Sequence, residues 1–333
     1  MSFVWTIAEP NQGRLKRVSF ELLSRGRTLA DKLETRLASV VIGAGIAGDA
    51  LDELVERGAD EVYYVEDARL ETFVCETWSR ILRTLVRQYR PTVILAAATT
   101  LGRTLMPHLA VNVNAGLTAD CTDLDIEPGT DNLLQTRPAI GGNILATIKT
   151  ADHRPQMATV RPRSTIPPER VRDRVGKIIR VPVDESVYEP RVTVLGTASD
   201  TEDFAHLEEA DIVVAGGKGM RRADNFEMLR ELAGELEGAV GASRDAVDRG
   251  WISYPHQIGL SGKTISPKLY IAAGISGSIQ HLAGIKTAET IVSINKDPDA
   301  PLHQVADFGI VGDLFDVIPE LIRRLRERRK EQR

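Results

Sequence analysis

Cysteine is nearly missing from this chain of 333 residues: only Cys75 and Cys121 occur. Two thiols cannot build a disulfide framework, a four-thiolate zinc site or an iron–sulfur cluster, and their scarcity predicts a reducing interior. Aromatic residues are also few, at 5%, which speaks against an aromatic-rich binding face. No apolar run approaches the roughly 18 residues that a spanning helix needs, so no membrane insertion is expected. Positive charge is not in excess either. Lys and Arg number 42 against 47 Asp and Glu, a net charge of -5, and bulk electrostatics offers nucleic acid no attraction. The one basic stretch, residues 323–333, carries seven cations and two anions. An acidic partner or RNA competes there with a solvated last helix whose cations favour its C-terminus; the solvated helix is preferred, because charge runs are usually solvated faces. The chain enters an apolar segment at Phe3, which predicts no leader peptide and a cytoplasmic setting.

Glycine, by contrast, is plentiful at 27 residues, and the length predicts two domains. In the first half, β-branched and aliphatic runs at 3–8, 38–42, 61–65 and 93–97 alternate with helix patterns at 17–33, 49–57 and 72–89. Such alternation predicts an α/β domain with a parallel sheet covered on both faces. From 123 to 190, proline and charge increase around short strands at 144–149 and 178–183, which looks like an elaborated sheet edge. A polar, acidic stretch with Asp200, Glu202, Asp203, Glu208 and Glu209 follows. It predicts a boundary, with domains over 1–195 and 196–333 and a hinge between them. The strand–helix rhythm then restarts, with strands at 211–215, 268–272, 290–294 and 308–311, a helix near 225–237 and a closing helix near 313.

Four glycine motifs need weighing. GAGIAG at Gly43–Gly48 follows a strand, precedes a helix and has Glu66 after the next strand, the form of a dinucleotide fingerprint. It belongs to the second strand of its domain, not the first, so a tightly packed turn is the competing reading. Ser261-Gly262-Lys263-Thr264 resembles the end of a P-loop, but Gln257 stands where the leading glycine is required. Gly274-Ile275-Ser276-Gly277-Ser278 lacks the last glycine of a nucleophile elbow. The fourth is the set of glycine turns scattered from Gly216 to Asp313. Each follows a strand, and turns that converge at strand ends describe a pocket for an extended phosphorylated cofactor.

Three stretches make the chain recognisable: GAVGASRDAVDRG at 238–250, LYIAAGISGSIQHLAG at 269–284 and IVSINKDPDAPLHQVADFGIVGD at 291–313. Together they closely resemble the C-terminal flavin domain of electron transfer flavoprotein α subunits. A weaker similarity covers the first domain at GLTADC, 116–121. The resemblance implies a Rossmann-like, doubly wound C-terminal domain that holds one FAD. It also implies an N-terminal scaffold that contacts a β subunit, and it makes the turn at 43–48 structural. The function implied is electron transfer from dehydrogenases of the acyl-CoA dehydrogenase type to a redox acceptor, ferredoxin and a quinone reductase being candidate partners. Such a chain is a carrier subunit rather than a self-sufficient enzyme, and no nucleophile or acid–base pair stands out. QTRPAIGGNILATI at 135–148 looks like members from anaerobes that take part in electron bifurcation.

By matching positions, the resemblance also implies roles. Arg244 stands beside the isoalloxazine, where a fixed guanidinium favours the negative charge of reduction; a surface arginine paired with Asp245 or Asp248 is the competing reading. His281 lies near the pyrimidine carbonyl as donor or cation, or else ends a helix stripe. Ser261 places a hydroxyl near N5, or is a turn residue. Lys218 stands where many relatives carry arginine. Ser243, Ile258, Gly259 and Leu260 line the site. Ser276, Gly277, Ser278, Ile279 and Gln280 wrap the phosphate and ribityl portion, with Asn295, Asp313 and Leu314 towards the adenosine; Asp313 also suits an N-cap. The rivals are a stand-alone NAD-dependent dehydrogenase that uses Gly43, Gly45, Gly48 and Glu66, and a non-redox nucleotide-binding module.

Overall fold

The computed structural model describes residues 3–139, 144–182, 184–188, 191–196, 207, 210–285 and 287–331. They fall into two compact units, Met1–Thr197 and Ala198–Arg333. The acidic joining stretch with Asp200, Glu202, Asp203, Glu208 and Glu209 lies outside the described residues, as do 140–143 and 183.

The first unit begins with β1 (Phe3–Ala8), a small hairpin of β2 (Pro10–Asn11) and β3 (Arg14–Leu15), and α1 (Arg17–Lys32). Next come β4 (Arg36–Gly43), α2 (Gly48–Glu56), β5 (Glu61–Glu66), α3 (Cys75–Tyr89), β6 (Val93–Ala97) and α4 (Thr100–Val113). The remainder is strand: β7 (Leu117–Cys121), β8 (Asp123–Glu127), β9 (Asn132–Pro138), β10 (Leu145–Ile148), β11 (Gln156–Val160) and β12 (Lys177–Arg180). Seven strands form one parallel sheet in the order β12-β5-β4-β1-β6-β11-β7, while β8, β9 and β10 make an antiparallel sheet of three. Alternate side chains of the central strands feed two cores. Val4 and Ala8 join one cluster, and Phe3, Trp5 and Ile7 join the other. That is why these strands read as continuous apolar runs. The stripe on α3 buries Trp78, Ile81, Leu82 and Leu85 against the second cluster.

The region after residue 123 is more than a sheet edge. β11 lies inside the main sheet, between β6 and β7, and is buried throughout. The strand expected at 178–183 is shorter and displaced, Lys177–Arg180, and pairs with β5 at the opposite edge.

The second unit repeats the strand–helix rhythm: β13 (Ile212–Gly216), α5 (Phe226–Glu235), β14 (Ala239–Ala242), α6 (Arg244–Asp248), β15 (Leu269–Ala273), α7 (Ile279–Leu282), β16 (Thr290–Asn295), β17 (Phe308–Val311) and α8 (Leu314–Glu331). Its five strands are all parallel, in the order β14-β13-β15-β16-β17. Again both faces are covered. Val214, Ile271 and Ile294 pack with α5 and α8, while Val213, Tyr270 and Ile291 pack with Ile258, Ile265 and Leu302. The basic residues of α8 are largely neutralised within the unit. Arg326 reaches Glu231 (2.8 Å) and Glu235 (2.7 Å), Arg329 reaches Glu237 (3.3 Å), and Arg323 reaches Glu320 (2.7 Å). Among the described residues no helix is long and apolar enough to cross a membrane.

Trp78 is 1% exposed, and its indole fills the second core cluster. Trp78→Ala is expected to cost about 3–5 kcal/mol through lost burial and the cavity left behind, read as a lower urea midpoint for the first unit with the second unit's transition unchanged.

Candidate functional site

Strand order dictates where a ligand can sit. In the second sheet the chain runs outward from β13 to β14 and then crosses back to β15, so the switch point lies between β13 and β15. Loops leaving the carboxyl ends of strands on either side of such a point diverge and open a crevice. A cavity of about 570 Å³ occupies it. Lys218 reaches it from the loop after β13, Ser243, Arg244 and Asp245 from the turn after β14, and Ile275, Ser276, Gly277, Ser278, Gln280 and His281 from the loop after β15. Ile258, Gly259, Leu260 and Ser261 close one wall.

Close backbone packing builds this wall. The Gly219 amide donates to the Gly274 carbonyl at 3.0 Å, and a Cβ on Gly219 would stand 2.6 Å from the Gly274 Cα. The second loop turns at Gly277, where φ is +90° and a Cβ would meet the Leu302 nitrogen at 2.6 Å; only glycine fits there. Ser276, Gly277 and Ser278 lie between strand and helical turn, and their amides donate to no acceptor among the described residues. The four-residue α7 is capped by Ser278, whose Oγ accepts from the His281 amide at 3.4 Å.

The polar side chains divide into exposed and buried. Arg244 is 69% exposed at the mouth, with its Nε 3.2 Å from Asp248 Oδ2. The surface pair and the place in the cavity wall thus occur together. Asp245 is engaged by Arg249 at 3.0 Å. Ser261 Oγ accepts from Gln257 Nε2 at 3.0 Å, and its carbonyl accepts from Tyr254 Oη at 2.8 Å. The Ser261 hydroxyl hydrogen is therefore left to donate elsewhere. Gln257 itself is buried; in the sequence it opens the polar glycine loop 257–264 and stands where a P-loop requires glycine.

His281 is buried, with Nε2 2.7 Å from the hydroxyl of Tyr270. Its Nδ1 has no hydrogen-bond partner among the described residues. Burial pushes the imidazole down to about 4, opposed by the backbone of Ile258. At neutral pH the ring is uncharged, the form in which one ring nitrogen donates and the other accepts.

Four expected residues lie outside this cavity wall. Ile279 is 80% exposed. Asn295 donates to the Ile275 carbonyl at 3.1 Å and accepts from the Asp297 amide at 3.1 Å. Asp313 accepts from the Phe315 amide at 3.0 Å as an N-cap, and Lys296 beside it holds its carboxyl below the usual range. Leu314 is buried in the core. Ile275 connects the cavity to Asn295, and Leu314 packs within reach of Gly274.

The first unit answers differently. Its switch point lies between β1 and β6, and there Glu9 is buried with Lys16 3.4 Å away and Thr99 donating to it. The loop at 43–48 follows β4, one strand removed. Two of its amides are engaged: Ile46 donates to Tyr64 Oη at 3.1 Å and Ala47 to the Gly13 carbonyl at 2.8 Å. Glu66, the would-be ribose acid, is paired with Arg180. The dehydrogenase reading is not supported.

A buried imidazole with one nitrogen unpartnered, three unpaired amides and a glycine-built turn fit an extended, phosphorylated, redox-active ring. Fold and crevice define a doubly wound α/β domain with a site for an extended phosphorylated cofactor, and the FAD-binding domain model that it matches makes that cofactor FAD. The sequence comparisons agree: the electron transfer flavoprotein domain model matches residues 4–186, and the electron transfer flavoprotein FAD-binding domain model matches 206–286. The chain belongs to the electron transfer flavoprotein family, on the α-subunit side. It is 48% identical to the electron transfer flavoprotein subunit alpha of Thermoanaerobacterium thermosaccharolyticum, over 97% of this chain and 98% of that one. It is 43% identical to the FixB protein of Clostridium saccharobutylicum, over 97% and 96% of the two chains. With the subunit alpha of Megasphaera elsdenii it shares 41% identity, over 98% and 97%.

Neutral His281 also makes stability pH-dependent. Between pH 6.5 and 4 the unfolded imidazole binds a proton that the folded one excludes, so stability falls as pH falls through that window. Acidification from pH 7 to 5 is expected to cost the second unit about 2 kcal/mol from this group. His281→Gln should flatten that slope in urea titrations at the two pH values.

Proposed function

We propose that this chain is the FAD-holding half of a heterodimer with a β subunit, and that it passes electrons from dehydrogenases of the acyl-CoA dehydrogenase type to a separate redox acceptor in the cytoplasm. The observation that carries the reading is the cavity at the second switch point, where the expected flavin residues from separate loops meet. Residues 196–333 hold the cofactor in this reading, and 1–195 serve as the scaffold for the β subunit.

When bound, FAD supplies a ring system that accepts and returns electrons. The chain's own residues orient it and tune it. Arg244 presents positive charge at the mouth, which favours a ring that gains negative charge; Asp248, paired with it, weakens that field. Ser261, held through its oxygen by Gln257, donates its hydroxyl towards N5. His281 donates from Nδ1 to the pyrimidine end. The amides of Ser276, Gly277 and Ser278 take the phosphates, with Lys218, Ser243, Ile258, Gly259, Leu260, Ile279 and Gln280 around the remainder. Asn295, which is joined to the cavity through Ile275, would hold the adenosine end together with Asp313 and Leu314.

A finer reading places the chain in a bifurcating complex that links NADH and ferredoxin. The segment 135–148 favours it, as does similarity to α subunits from anaerobes. A heterodimer with two FAD molecules that NADH reduces is the expected result; one FAD with AMP in β rejects it.

The visible spectrum of the protein purified with its β subunit tests the assignment. Gly45→Asp puts a carboxylate where the rival reading needs pyrophosphate, and is expected to leave the flavin bands intact. Arg244→Ala is expected to shift or abolish them and to lower the midpoint potential by roughly 20–60 mV, and Asp248→Asn to raise it. Loss of flavin in the first variant with none in the second would sink the proposal.

A further inference from the structure

We propose that Tyr270 is a positioning residue for the flavin site: its hydroxyl donates to Nε2 of His281, fixes the ring in the tautomer protonated at Nδ1, and so presents Nδ1–H as a neutral donor to the cofactor. The inference rests on the reading that FAD occupies the cavity lined by His281.

Proton accounting within this pair leads to the assignment. Tyr270 Oη and His281 Nε2 are 2.7 Å apart, both side chains are buried, and the phenol has no other partner among the described residues. Suppose Nε2 carried the proton and donated to the phenol oxygen. The phenol hydrogen would then be stranded in the core, and Nδ1 would be left as a bare, buried lone pair facing no donor. Two buried polar functions would be unsatisfied. With the phenol donating, its hydrogen is used and Nε2 is used. The group left over is Nδ1–H, which makes no hydrogen bond among the described residues although the Ile258 backbone acts on the ring, and the ring lines the cavity. The tautomer of a histidine is set by the hydrogen bond at its other nitrogen, and here that bond comes from a neutral O–H, not from a carboxylate.

Geometry keeps the pair in place. Tyr270 stands on the buried strand β15 between β13 and β16. The turn that carries His281 is tied to the opposite wall, where the Leu260 amide donates to the Gln280 carbonyl at 2.9 Å and the Ile265 amide to the Gly284 carbonyl at 2.8 Å. The two rings are tilted at 44° with centroids 6.1 Å apart. Burial pushes the phenol's ionisation up and the imidazole's down, so the pair stays neutral, with the phenol protonated. A carboxylate at position 270 would instead favour an imidazolium; the phenol cannot.

The test uses FAD-loaded full-length protein labelled with nitrogen-15 at histidine. Long-range proton–nitrogen correlation spectra report which ring nitrogen of His281 carries hydrogen. The wild type is expected to be protonated at Nδ1 and bare at Nε2. Tyr270→Phe keeps the ring volume and removes the donor; a population protonated at Nε2 should appear, and the FAD dissociation constant should rise about two- to tenfold. A wild-type ring protonated at Nε2 overturns the inference, and this measurement decides even where the variant does not fold. A folded Tyr270→Phe protein with unchanged tautomer and unchanged affinity overturns it as well. His281→Ala separates the two levels of the claim. Unchanged FAD affinity in that variant removes the underlying site reading, and the inference with it. Weakened affinity there, alongside a Tyr270→Phe protein like the wild type, removes only the role of Tyr270.

Discussion

Two loops that leave neighbouring parallel strands must pass within backbone contact of each other at the top of the second sheet, and the cofactor site depends on that crossing. β13 and β15 are adjacent, so their loops start about 4.8 Å apart. A Cβ on Gly217 would stand 2.4 Å from the Gly274 carbonyl oxygen, and one on Gly219 2.6 Å from the Gly274 Cα. Glycine on both sides removes the obstacle, and two backbone hydrogen bonds, from the Gly217 amide to the Ala273 carbonyl and from the Gly219 amide to the Gly274 carbonyl, lock the crossing. Lys218, between two such glycines, is thereby delivered to the cavity. The chain beyond Gly274 is turned so that Ser276–Ser278 offer their amides rather than bury them. Glycine's entropic cost here, roughly 0.5–1 kcal/mol at each position, is offset by the fully buried strands beneath.

The first unit shows that the same architecture does not by itself make a site. Its switch point also lies where strand order reverses, but an ion pair and a threonine hydroxyl fill it. The glycine-rich turn after β4 engages its Ile46 and Ala47 amides with a tyrosine and a neighbouring hairpin. Glycine motif and parallel sheet are common to both units. A cavity at the switch point, lined by the loops after β13, β14 and β15, is what distinguishes the second.

That distinction explains what could be read from residues alone. Strands such as β1 and β6 are apolar on both faces and announce themselves, and α3 does so through the stripe from Trp78 to Leu85. α4 was not legible, because Gly102 and Pro107 interrupt its pattern and tertiary packing overrides them. β11 carries Gln156 and Thr159, which look like loop chemistry; in the sheet they are buried, and Gln156 accepts from the Leu133 amide at 2.7 Å. β14, Ala-Val-Gly-Ala, has too little β-branched character to stand out, and its small residues read as a turn. At the site, glycine spacing and the matched stretches identified the loops. They could not identify Tyr270, whose hydroxyl is hidden within an apolar strand, or Gln257, whose partner is set only by the fold.

In the proposed reading Arg244 and His281 would act on a bound ring by different physics, and the difference follows from their exposure. A guanidinium that is 69% exposed and shared with Asp248 exerts a field that water and salt screen. Its effect varies with ionic strength and with whatever docks over the mouth. A buried neutral imidazole exerts no long-range field; it offers one directed hydrogen bond in a low-dielectric wall, where such a bond is strong and hardly screened. Charging that imidazole would require desolvation that the Ile258 backbone only partly compensates, and its partner at Nε2 is a neutral phenol. The exposed cation therefore provides the adjustable part of the cofactor's environment and the buried pair the fixed part. A carrier that meets donor and acceptor at the same mouth needs both: orientation that is constant between encounters, and a charge that a docking partner can cover.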